Sequence, residues 1–282
     1  MADVIALVFD FDDTLAPDST SGFLQHLGVD VDAFWHDRVD PLLNEQDWDP
    51  VPAYLYRMLE LSRSGPRSRI TREGLQAWGR QLPLHEGVNT LFKRLRTRLH
   101  QAHPTVQLEF YLISSGIGDV LRSTPIADQF ADIWASEFHY DESGAIDFPR
   151  RIVSFTDKTR YLFHIQKGMI GPESRNKPFE VNRKVDADKL RVPFDQMIFV
   201  GDGYTDIPCF SLIRRSGGVA FGVWDPRHKE KRSRAWGFIE DGRVSNLNQA
   251  RFGEDAELYQ WLEAAVESLA SKIVLKARTY RG

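Results

Sequence analysis

The stretch VFDFDDTLAP, residues 8–17, ends a hydrophobic run with three aspartates in four positions. The run itself, Val4 to Phe9, is nearly continuous in apolar residues, which predicts a strand buried on both faces of a parallel sheet. Asp10, Asp12 and Asp13 follow at once. Carboxylates so close together repel one another. The fold must therefore either spread these side chains through water, as a solvated acidic turn, or supply a cation that holds them.

The composition is that of an ordinary globular protein. The 282 residues are 42% hydrophobic, which suits one large domain or a core domain with a smaller accessory one. A net charge of -4 and a pI near 6.1 give no general attraction to nucleic acid or to an anionic membrane. One cysteine, Cys209, excludes an internal disulfide framework and fits a reducing compartment. With no positive charge in MADVIALVFD and no long apolar run, we expect a cytoplasmic protein.

Further short apolar runs predict three more strands, at Leu108–Ile113, Met197–Val200 and Gly218–Val223. Stretches with helical spacing of apolar residues lie between them, as in Val88–Leu99. This alternation predicts an α/β fold with a doubly wound, Rossmann-like parallel sheet. Such sheets bind ligands beyond the carboxyl ends of their strands, and Asp10, Ser114 and Asp202 each follow a predicted strand end.

Two stretches depart from the alternation. Residues 16–84 carry helical patterns and no convincing strand, which predicts an inserted α-helical domain there and a core domain of residues 1–15 and 85–282. Residues 167–191 are charged and poor in large apolar side chains, which predicts an extended excursion before the next strand. Residues 255–276 have helical spacing and are expected to pack against the sheet edge.

Asp10 and Asp12 form a pair suited to acid–base and nucleophilic chemistry. A strand that leads into a loop can point alternate side chains the same way, so both carboxylates can converge. One carboxylate can attack phosphorus, while the other protonates the leaving oxygen and then deprotonates a water. These roles need opposite protonation states, which different surroundings can set.

The segment GDGYTD, residues 201–206, follows the predicted strand Met197–Val200. Its glycines permit a sharp turn, and Asp202 and Asp206 bring more carboxylates to the same edge. Carboxylates from two strand ends, with backbone carbonyls and water, make a site suited to Mg²⁺. Alone, the segment is equally typical of an Asp-Gly turn. Together with DFDDT it favours a cation site.

Two weaker motifs lie between these aspartates. In LISSGIGDVL, Ser114, Ser115 and Gly116 offer a hydroxyl and backbone N–H groups to an anion, although Ser and Gly also cap helices. In SFTDKTRYLFHI, Lys158 opens an amphipathic helix, where its ammonium group can reach a phosphoryl oxygen or offset the acidic cluster. A surface lysine in a first helical turn is the alternative.

The motifs DFDDT, LISSG, DKTRYL and GDGYTD resemble, in this order, the four motifs of the haloacid dehalogenase-like (HAD) hydrolases. The resemblance covers Val4 to about Trp224, and GGVAFGVWDP is similar to the strand after the last motif in the phosphoserine-phosphatase-like branch. It implies that the helical insertion is a C1-type cap. The charged 167–191 stretch places Lys158 farther from the last motif than is usual in this family.

The resemblance implies Asp10 as nucleophile and Asp12 as general acid/base. Ser114 would bind phosphate, with Ser115 and Gly116 beside it, and Lys158 would steady the phosphoryl intermediate. Members that attack carbon generally lack the second aspartate of DFDDT, so its presence favours phosphoryl chemistry.

The resemblance also implies a Mg²⁺ site. Asp202 would bind the ion with Asp10 and the backbone carbonyl of Asp12, and Asp206 would support the site through water. Phosphoserine phosphatases place a glutamate early in the cap, where this chain has the segment PDST, residues 17–20. The resemblance therefore does not extend to a phosphoamino-acid substrate.

We expect a Mg²⁺-dependent phosphatase that acts through an aspartyl-phosphate on a small phosphorylated metabolite. Transfer of the phosphoryl group to another acceptor, as in a phosphotransferase or phosphomutase, and a non-catalytic binding protein with the same fold are the alternatives. Residues 62–72, SRSGPRSRITR, either pair with a second acidic group of the substrate or form a solvated loop. The 167–191 stretch is the feature that would favour a protein partner.

Overall fold

The computed structural model describes residues 3–227 and 236–279. Seven strands form one sheet in the order β4-β3-β2-β1-β5-β6-β7. All neighbouring strands run parallel except β3 and β4, which form an antiparallel hairpin. This confirms the predicted α/β class and its parallel sheet. The strands are β1 Val4–Phe9, β2 Gln107–Ile117, β3 Asp132–Tyr140, β4 Ile146–Arg151, β5 Met197–Gly201, β6 Val219–Trp224 and β7 Asn246–Gln249.

Helices cover both faces of the sheet and fill the connection between β1 and β2. A π-helical segment, Ala33–Val39, leads directly into α2, and residues 236–240 are also helical. The helices are α1 Ser19–His26, α2 Asp40–Gln46, α3 Pro50–Arg63, α4 Arg72–Gln81, α5 Val88–Ala102, α6 Gly118–Leu121, α7 Phe155–Lys167, α8 Ile207–Arg215 and α9 Glu257–Thr279.

Strand β1 is the fourth of the seven strands and so lies at the centre of the sheet. All six of its residues are buried, as its apolar run predicts. Phe9 pairs with Leu112 of β2 on one side and with Val200 of β5 on the other. The amide of Asp10 then donates to the carbonyl of Val200 at 2.8 Å, so the strand ends stay in register where the aspartates begin. The strand ends of β1, β2 and β5 therefore meet at one edge of the sheet.

Two hydrophobic layers enclose the sheet. One contains the β1 side chains Ile5, Leu7 and Phe9 together with buried residues of α5 and α9, and the other contains residues of α7 and α8. Helix α9 packs on α5 and reaches β1 as well as β7. The expected packing against the sheet edge is confirmed at β7, and the apolar stripe from Leu258 to Ile273 also extends across the face.

The helices between β1 and β2 share the first of these hydrophobic layers with the sheet. Their far end is attached to the β3–β4 hairpin through backbone bonds: Arg72 donates to Gly144 at 3.0 Å, and Ile146 donates to Ile70 at 2.9 Å. Within the described residues, none of this insertion joins the main sheet as a strand. The division into domains stays a prediction, and residues 1–2, 228–235 and 280–282 of the proposed core domain lie outside the described residues.

The basic run of residues 62–72 contacts the hairpin. Arg63 donates to the Asp147 carbonyl at 2.9 Å, and the Arg72 guanidinium lies 4.3 Å from the centre of the Tyr140 ring. These arginines therefore hold the insertion on the core, a role that neither of the two sequence interpretations included.

After Lys167, which ends α7, the charged stretch 167–191 contains only short 3₁₀ turns, and its last residue, Arg191, donates its amide to the Gln166 carbonyl at 2.8 Å. Lys167 donates to the carbonyls of Val181 at 2.6 Å and Arg183 at 2.8 Å. The Gly171 amide donates to the Asp132 carboxylate at 2.7 Å, which attaches the stretch to the start of β3.

None of the helices within residues 3–227 and 236–279 is both long enough and apolar enough to cross a membrane.

Candidate active site

Three carboxylates meet where β1 and β5 end. Asp10 follows β1, and Asp202 and Asp206 follow β5; one carboxylate oxygen from each lies within 4.8 Å of the others. Asp10 is 6% exposed and Asp206 is fully buried, so water does little to screen their repulsion. The predicted convergence of DFDDT and GDGYTD is present as geometry.

Lys158 supplies a positive charge to this acidic cluster from the first turn of α7. Its Nζ lies 3.2 Å from Oδ1 of Asp10 and 2.7 Å from Oδ1 of Asp206, and the side chain is fully buried. Burial alone would lower the pKa of Lys158, but the two aspartates more than offset this and raise the pKa above its usual value. Lys158 is therefore a permanently charged bridge between the two motifs.

The cluster keeps an excess of negative charge. Burial and the neighbouring Asp206 raise the pKa of Asp10 to about 7, despite the opposing effect of Lys158. Burial, followed by Asp10 and Asp13, raises the pKa of Asp202 well above its ordinary value. Oδ1 of Asp10 is buried and receives no well-oriented hydrogen bond, its near neighbour being the Lys158 ammonium. Hard oxygen donors with unneutralised charge suit a divalent cation such as Mg²⁺.

Asp12 lies apart from this acidic cluster, against the start of α1. Its Oδ1 accepts from the Ser19 amide at 2.7 Å. Burial and the charge of Asp18 raise the pKa of Asp12 well above its ordinary value. Asp18 caps α1 by accepting from two amides at 2.9 Å each, which fixes its charge beside Asp12. Burial thus raises the pKa of both aspartates, but the neighbouring charges differ: Asp12 has the Asp18 carboxylate beside it, whereas Asp10 has the Lys158 ammonium group.

The serine motif borders Asp12; it lies within the last residues of β2, which continues to Ile117 and so past the predicted strand end at Ile113. Oγ of Ser114 is buried and accepts from the Gly116 amide at 3.0 Å. A β-carbon on Gly116 would lie 2.6 Å from Oδ2 of Asp12 and 3.2 Å from Oγ of Ser114. Only glycine therefore lets the two loops approach this closely. Oγ of Ser115 is buried and finds no hydrogen-bond partner within residues 3–227 and 236–279.

One contact at the site was not predicted from the sequence. Tyr54 of α3 donates its hydroxyl to the Ser115 carbonyl at 2.7 Å, and burial raises its pKa well above the ordinary value. The two residues are 61 positions apart, so no local pattern indicates the contact. Tyr54 brings the helical insertion directly over the serine motif.

The predicted site residues fall into two neighbouring groups. Asp10, Lys158, Asp202 and Asp206 form the acidic cluster. Asp12, Ser114 and Gly116 lie together beside it, with Ser115 below Tyr54. The geometry brings all of them to the carboxyl edge of the sheet. Their chemical roles stay predictions.

Comparisons with known proteins place this arrangement among related folds. No protein-family model matches the chain. An uncharacterized protein from Borreliella burgdorferi (strain ATCC 35210 / DSM 4680 / CIP 102532 / B31) is 24% identical and covers 92% of this chain and 95% of its own. A HAD family hydrolase from Salmonella enterica subsp. enterica serovar Typhi is 14% identical over 82% of this chain, with a TM-score of 0.53. This chain spans 65% of that structure, less than two thirds of its length.

A phosphoserine phosphatase solved as a phospho-aspartyl intermediate analogue is 15% identical, with a TM-score of 0.53 over 92% of this chain and 98% of its own. At these identities the likeness concerns the fold. The agreement covers nearly the whole chain. The chain therefore has the fold of the HAD-like hydrolases, in the form found in phosphoserine phosphatases.

Proposed function

We propose that the protein is a Mg²⁺-dependent phosphomonoester hydrolase that works through an aspartyl-phosphate on Asp10. The observation that carries the proposal is the contrast between two neighbouring carboxylates. Burial raises the pKa of both, but Asp10 lies 3.2 Å from a buried ammonium group in a cluster suited to a cation, whereas Asp12 lies outside that cluster beside the negative charge of Asp18. One group is kept ready to attack and the other to give up a proton.

The acidic cluster fits Mg²⁺ because its donors are hard oxygens and its negative charge is only partly neutralised. Asp10, Asp202 and the carbonyl of Asp12 would hold the ion, with Asp206 in support. When bound, Mg²⁺ would neutralise part of the charge on the phosphoryl oxygens.

In the first step an oxygen of the Asp10 carboxylate attacks phosphorus and forms an O–P bond. The bond from phosphorus to the leaving oxygen breaks, and its electron pair goes to that oxygen. The oxygen takes the proton of Asp12, so an alcohol leaves. Lys158 lies close enough to Asp10 to balance the charge that moves onto the phosphoryl group.

In the second step Asp12, now a carboxylate, takes a proton from water. The water oxygen attacks phosphorus, and the bond from Asp10 to phosphorus breaks with its electron pair returning to the carboxylate. Inorganic phosphate leaves and both aspartates regain their starting forms. Ser114 and the amides that follow it border Asp12, where they can hold the phosphoryl oxygens.

A small substrate is favoured by the closure over this edge. Tyr54 bonds to the Ser115 carbonyl, and the insertion carrying it is attached to the core at its far end. The ring centres of Trp35 and Tyr54, both in the insertion, lie 5.9 Å apart. An insertion placed over the serine motif favours a phosphorylated metabolite over a macromolecule.

The test is phosphate release from a panel of phosphorylated metabolites and an aryl phosphate, in Mg²⁺ and in EDTA. We expect phosphate release in Mg²⁺ and none in EDTA. Asp10→Asn should lower the rate of phosphate release by about 10⁴-fold or more, because the nucleophile is removed. Asp188→Asn is the matched control, because Asp188 is exposed in the 167–191 stretch.

Full turnover by Asp10→Asn would contradict the mechanism. Product analysis with added alcohols separates hydrolysis from transfer to another acceptor, because transfer yields a new phosphate ester instead of inorganic phosphate. A folded protein that binds Mg²⁺ but releases no phosphate from any compound would favour a binding role.

A further inference from the structure

A second charged site lies on the far side of β2 from Asp10. Strand β4 pairs with β3 only from Glu137 to Tyr140, so β4 leaves the first half of β3 uncovered. A cleft of about 730 Å³ lies along this half, a volume within the usual range for small-ligand sites. Helix α7, β4 and part of the 167–191 stretch form its walls. We call this the basic groove.

Basic side chains outnumber acidic ones in the basic groove. Six of the lining side chains are cationic and three are carboxylates, a formal excess of three positive charges before His164 is considered. The cations come from the residue that follows α6, from β4, from α7 and from the 167–191 stretch, so they reach the cleft from four parts of the chain. They are Arg122, Arg150, Arg151, Arg160, Arg175 and Lys177, against Asp132, Glu137 and Asp157.

Glu137 holds three of these arginines in place. Arg122 and Arg150 each lie 2.7 Å from its carboxylate, and Arg151 lies 3.3 Å away. The Glu137 side chain is 8% exposed, while the arginine side chains are 33–59% exposed. One buried carboxylate therefore organises three guanidinium groups and leaves much of their donor capacity directed at solvent.

Other cations of the groove have spare capacity. Arg160 contacts Asp157 at 3.2 Å, yet its Nε is buried and has no hydrogen-bond partner among the described residues. Arg175 and Lys177 are exposed, and within the described part of the chain neither has an ion pair. Guanidinium forks and a free ammonium group suit phosphoryl oxygens.

The groove is separate from the candidate active site. Strand β2 lies between β1, which carries Asp10, and β3, which lines the groove. The two regions share helix α7, where Lys158 is buried towards Asp10 and Asp206 while Arg160 and Tyr161 line the groove.

We infer that the basic groove binds a small ligand with a chain of two or more phosphoryl groups. Its cations are distributed over four elements, so a single phosphate can reach only some of them, whereas a chain of phosphates can pair with several at once. This gives the 167–191 stretch a role, since it supplies the cations that close the groove. The inference does not depend on the proposed phosphatase activity.

The test measures binding of tripolyphosphate and of orthophosphate to the full chain by calorimetry, in EDTA so that no cation draws anions to the acidic cluster. We expect one tripolyphosphate per chain, bound at least about 10-fold more tightly than orthophosphate. Arg175→Glu combined with Lys177→Glu should weaken tripolyphosphate binding by about 10-fold or more, because two attractions become repulsions.

The matched control is Lys272→Glu combined with Lys276→Glu, which makes the same change in net charge at exposed positions of α9. Equal weakening in this control would overturn the inference, as would the absence of tripolyphosphate binding. Arg160→Gln, which removes charge from within the groove, should also weaken binding. Should the Arg175/Lys177 variant lose aryl phosphate turnover in parallel with binding, the groove would be part of the active site and not a separate one.

Discussion

In both the acidic cluster and the basic groove, several like charges share one opposite charge, and the sign of the charge in excess differs between the two regions. In the acidic cluster two carboxylates, Asp10 and Asp206, share the ammonium group of Lys158, and negative charge remains in excess. In the groove three guanidinium groups share the carboxylate of Glu137, and positive charge remains in excess. The sign of the excess indicates what each region accepts, a cation in one and an anion in the other.

The two regions also differ in burial. The Lys158 side chain is fully buried, so its charge is balanced only by protein groups and an incoming ion. The arginines around Glu137 remain partly hydrated. Removing a shared charge should therefore cost far more in the acidic cluster than in the groove, and the three variants below test this difference.

The largest effect is expected from Lys158→Met. It leaves Asp10 and Asp206 buried without their cation, so the free energy of unfolding should fall by about 3–5 kcal/mol. Turnover should fall about 10²- to 10³-fold, because the charge that balances the phosphoryl group is gone. Chemical denaturation measures the free energy of unfolding, and phosphate release measures turnover. Lys93→Met, on the exposed side of α5, is the control. An unchanged stability would mean that the carboxylates relax apart without Lys158.

The pH dependence of stability should reveal the excess of negative charge. In EDTA, folded Asp10 binds a proton more tightly than the unfolded chain, with a pKa of about 7 against 3.8. This contribution is complete below pH 3.8 and is lost as the pH rises through about 7, so it lowers the free energy of unfolding over that interval. The raised pKa of Asp202 acts in the same direction.

Asp202→Asn should make this fall in the free energy of unfolding with rising pH smaller by about 1 kcal/mol or more. The variant removes one titrating carboxyl group and its electrostatic repulsion of Asp10. Thermal and chemical unfolding between pH 4 and 7.5 measure the effect, with Asp188→Asn expected to follow the wild type. Added Mg²⁺ should flatten the wild-type profile, since a bound cation favours the ionised carboxylates. Identical pH profiles for Asp202→Asn and the wild type would show that the cluster is not strained by its charge.

In the basic groove, Glu137→Gln should have a smaller effect on stability than Lys158→Met has in the acidic cluster. Burial tends to raise the pKa of Glu137, but Arg122, Arg151 and Arg150 outweigh it and lower the pKa. The stability that Glu137 gives is thus present above its ordinary pKa and lost as the pH falls through the lowered value. At neutral pH the variant should lose about 1–3 kcal/mol in the free energy of unfolding.

The same variant should bind tripolyphosphate about 3- to 10-fold more tightly, because the ligand no longer competes with a carboxylate for the arginines. Calorimetry measures this affinity, and Glu267→Gln, at an exposed position of α9, is the control. Weaker binding would indicate that Glu137 is needed to orient the guanidinium groups.

The sequence predicts the acidic half of this comparison better than the basic half. Strands β1, β5 and β6 are largely apolar and β2 contains the apolar run FYLI at residues 110–113, which identifies them without reference to the rest of the chain. Strand β3 contains Asp132 and Glu137, both buried, so its pattern does not resemble a core strand. The cost of burying these carboxylates is offset by hydrogen bonds from distant residues. Gly171, 39 residues away, donates to Asp132, and Arg122, 15 residues away, donates to Glu137. Polar β7 was missed for want of any apolar run.

At the candidate site, the motif residues could be identified because each follows a predicted strand or opens a helix. Contacts made across the chain could not. Tyr54 reaches Ser115, and Arg63 and Arg72 hold the hairpin instead of facing a substrate or solvent. Such contacts depend on how the insertion lies on the core, which is a property of the assembled fold.

The β3–β4 hairpin contacts both regions. Backbone hydrogen bonds between Arg72 and Gly144 and between Ile146 and Ile70 attach it to the helical insertion. That insertion contacts the serine motif through Tyr54. The outgoing strand of the hairpin carries Arg150 and Arg151 into the basic groove. A displacement of the hairpin would therefore move both the insertion over the candidate active site and the arginines of the basic groove. A ligand bound in the groove would also restrain the insertion.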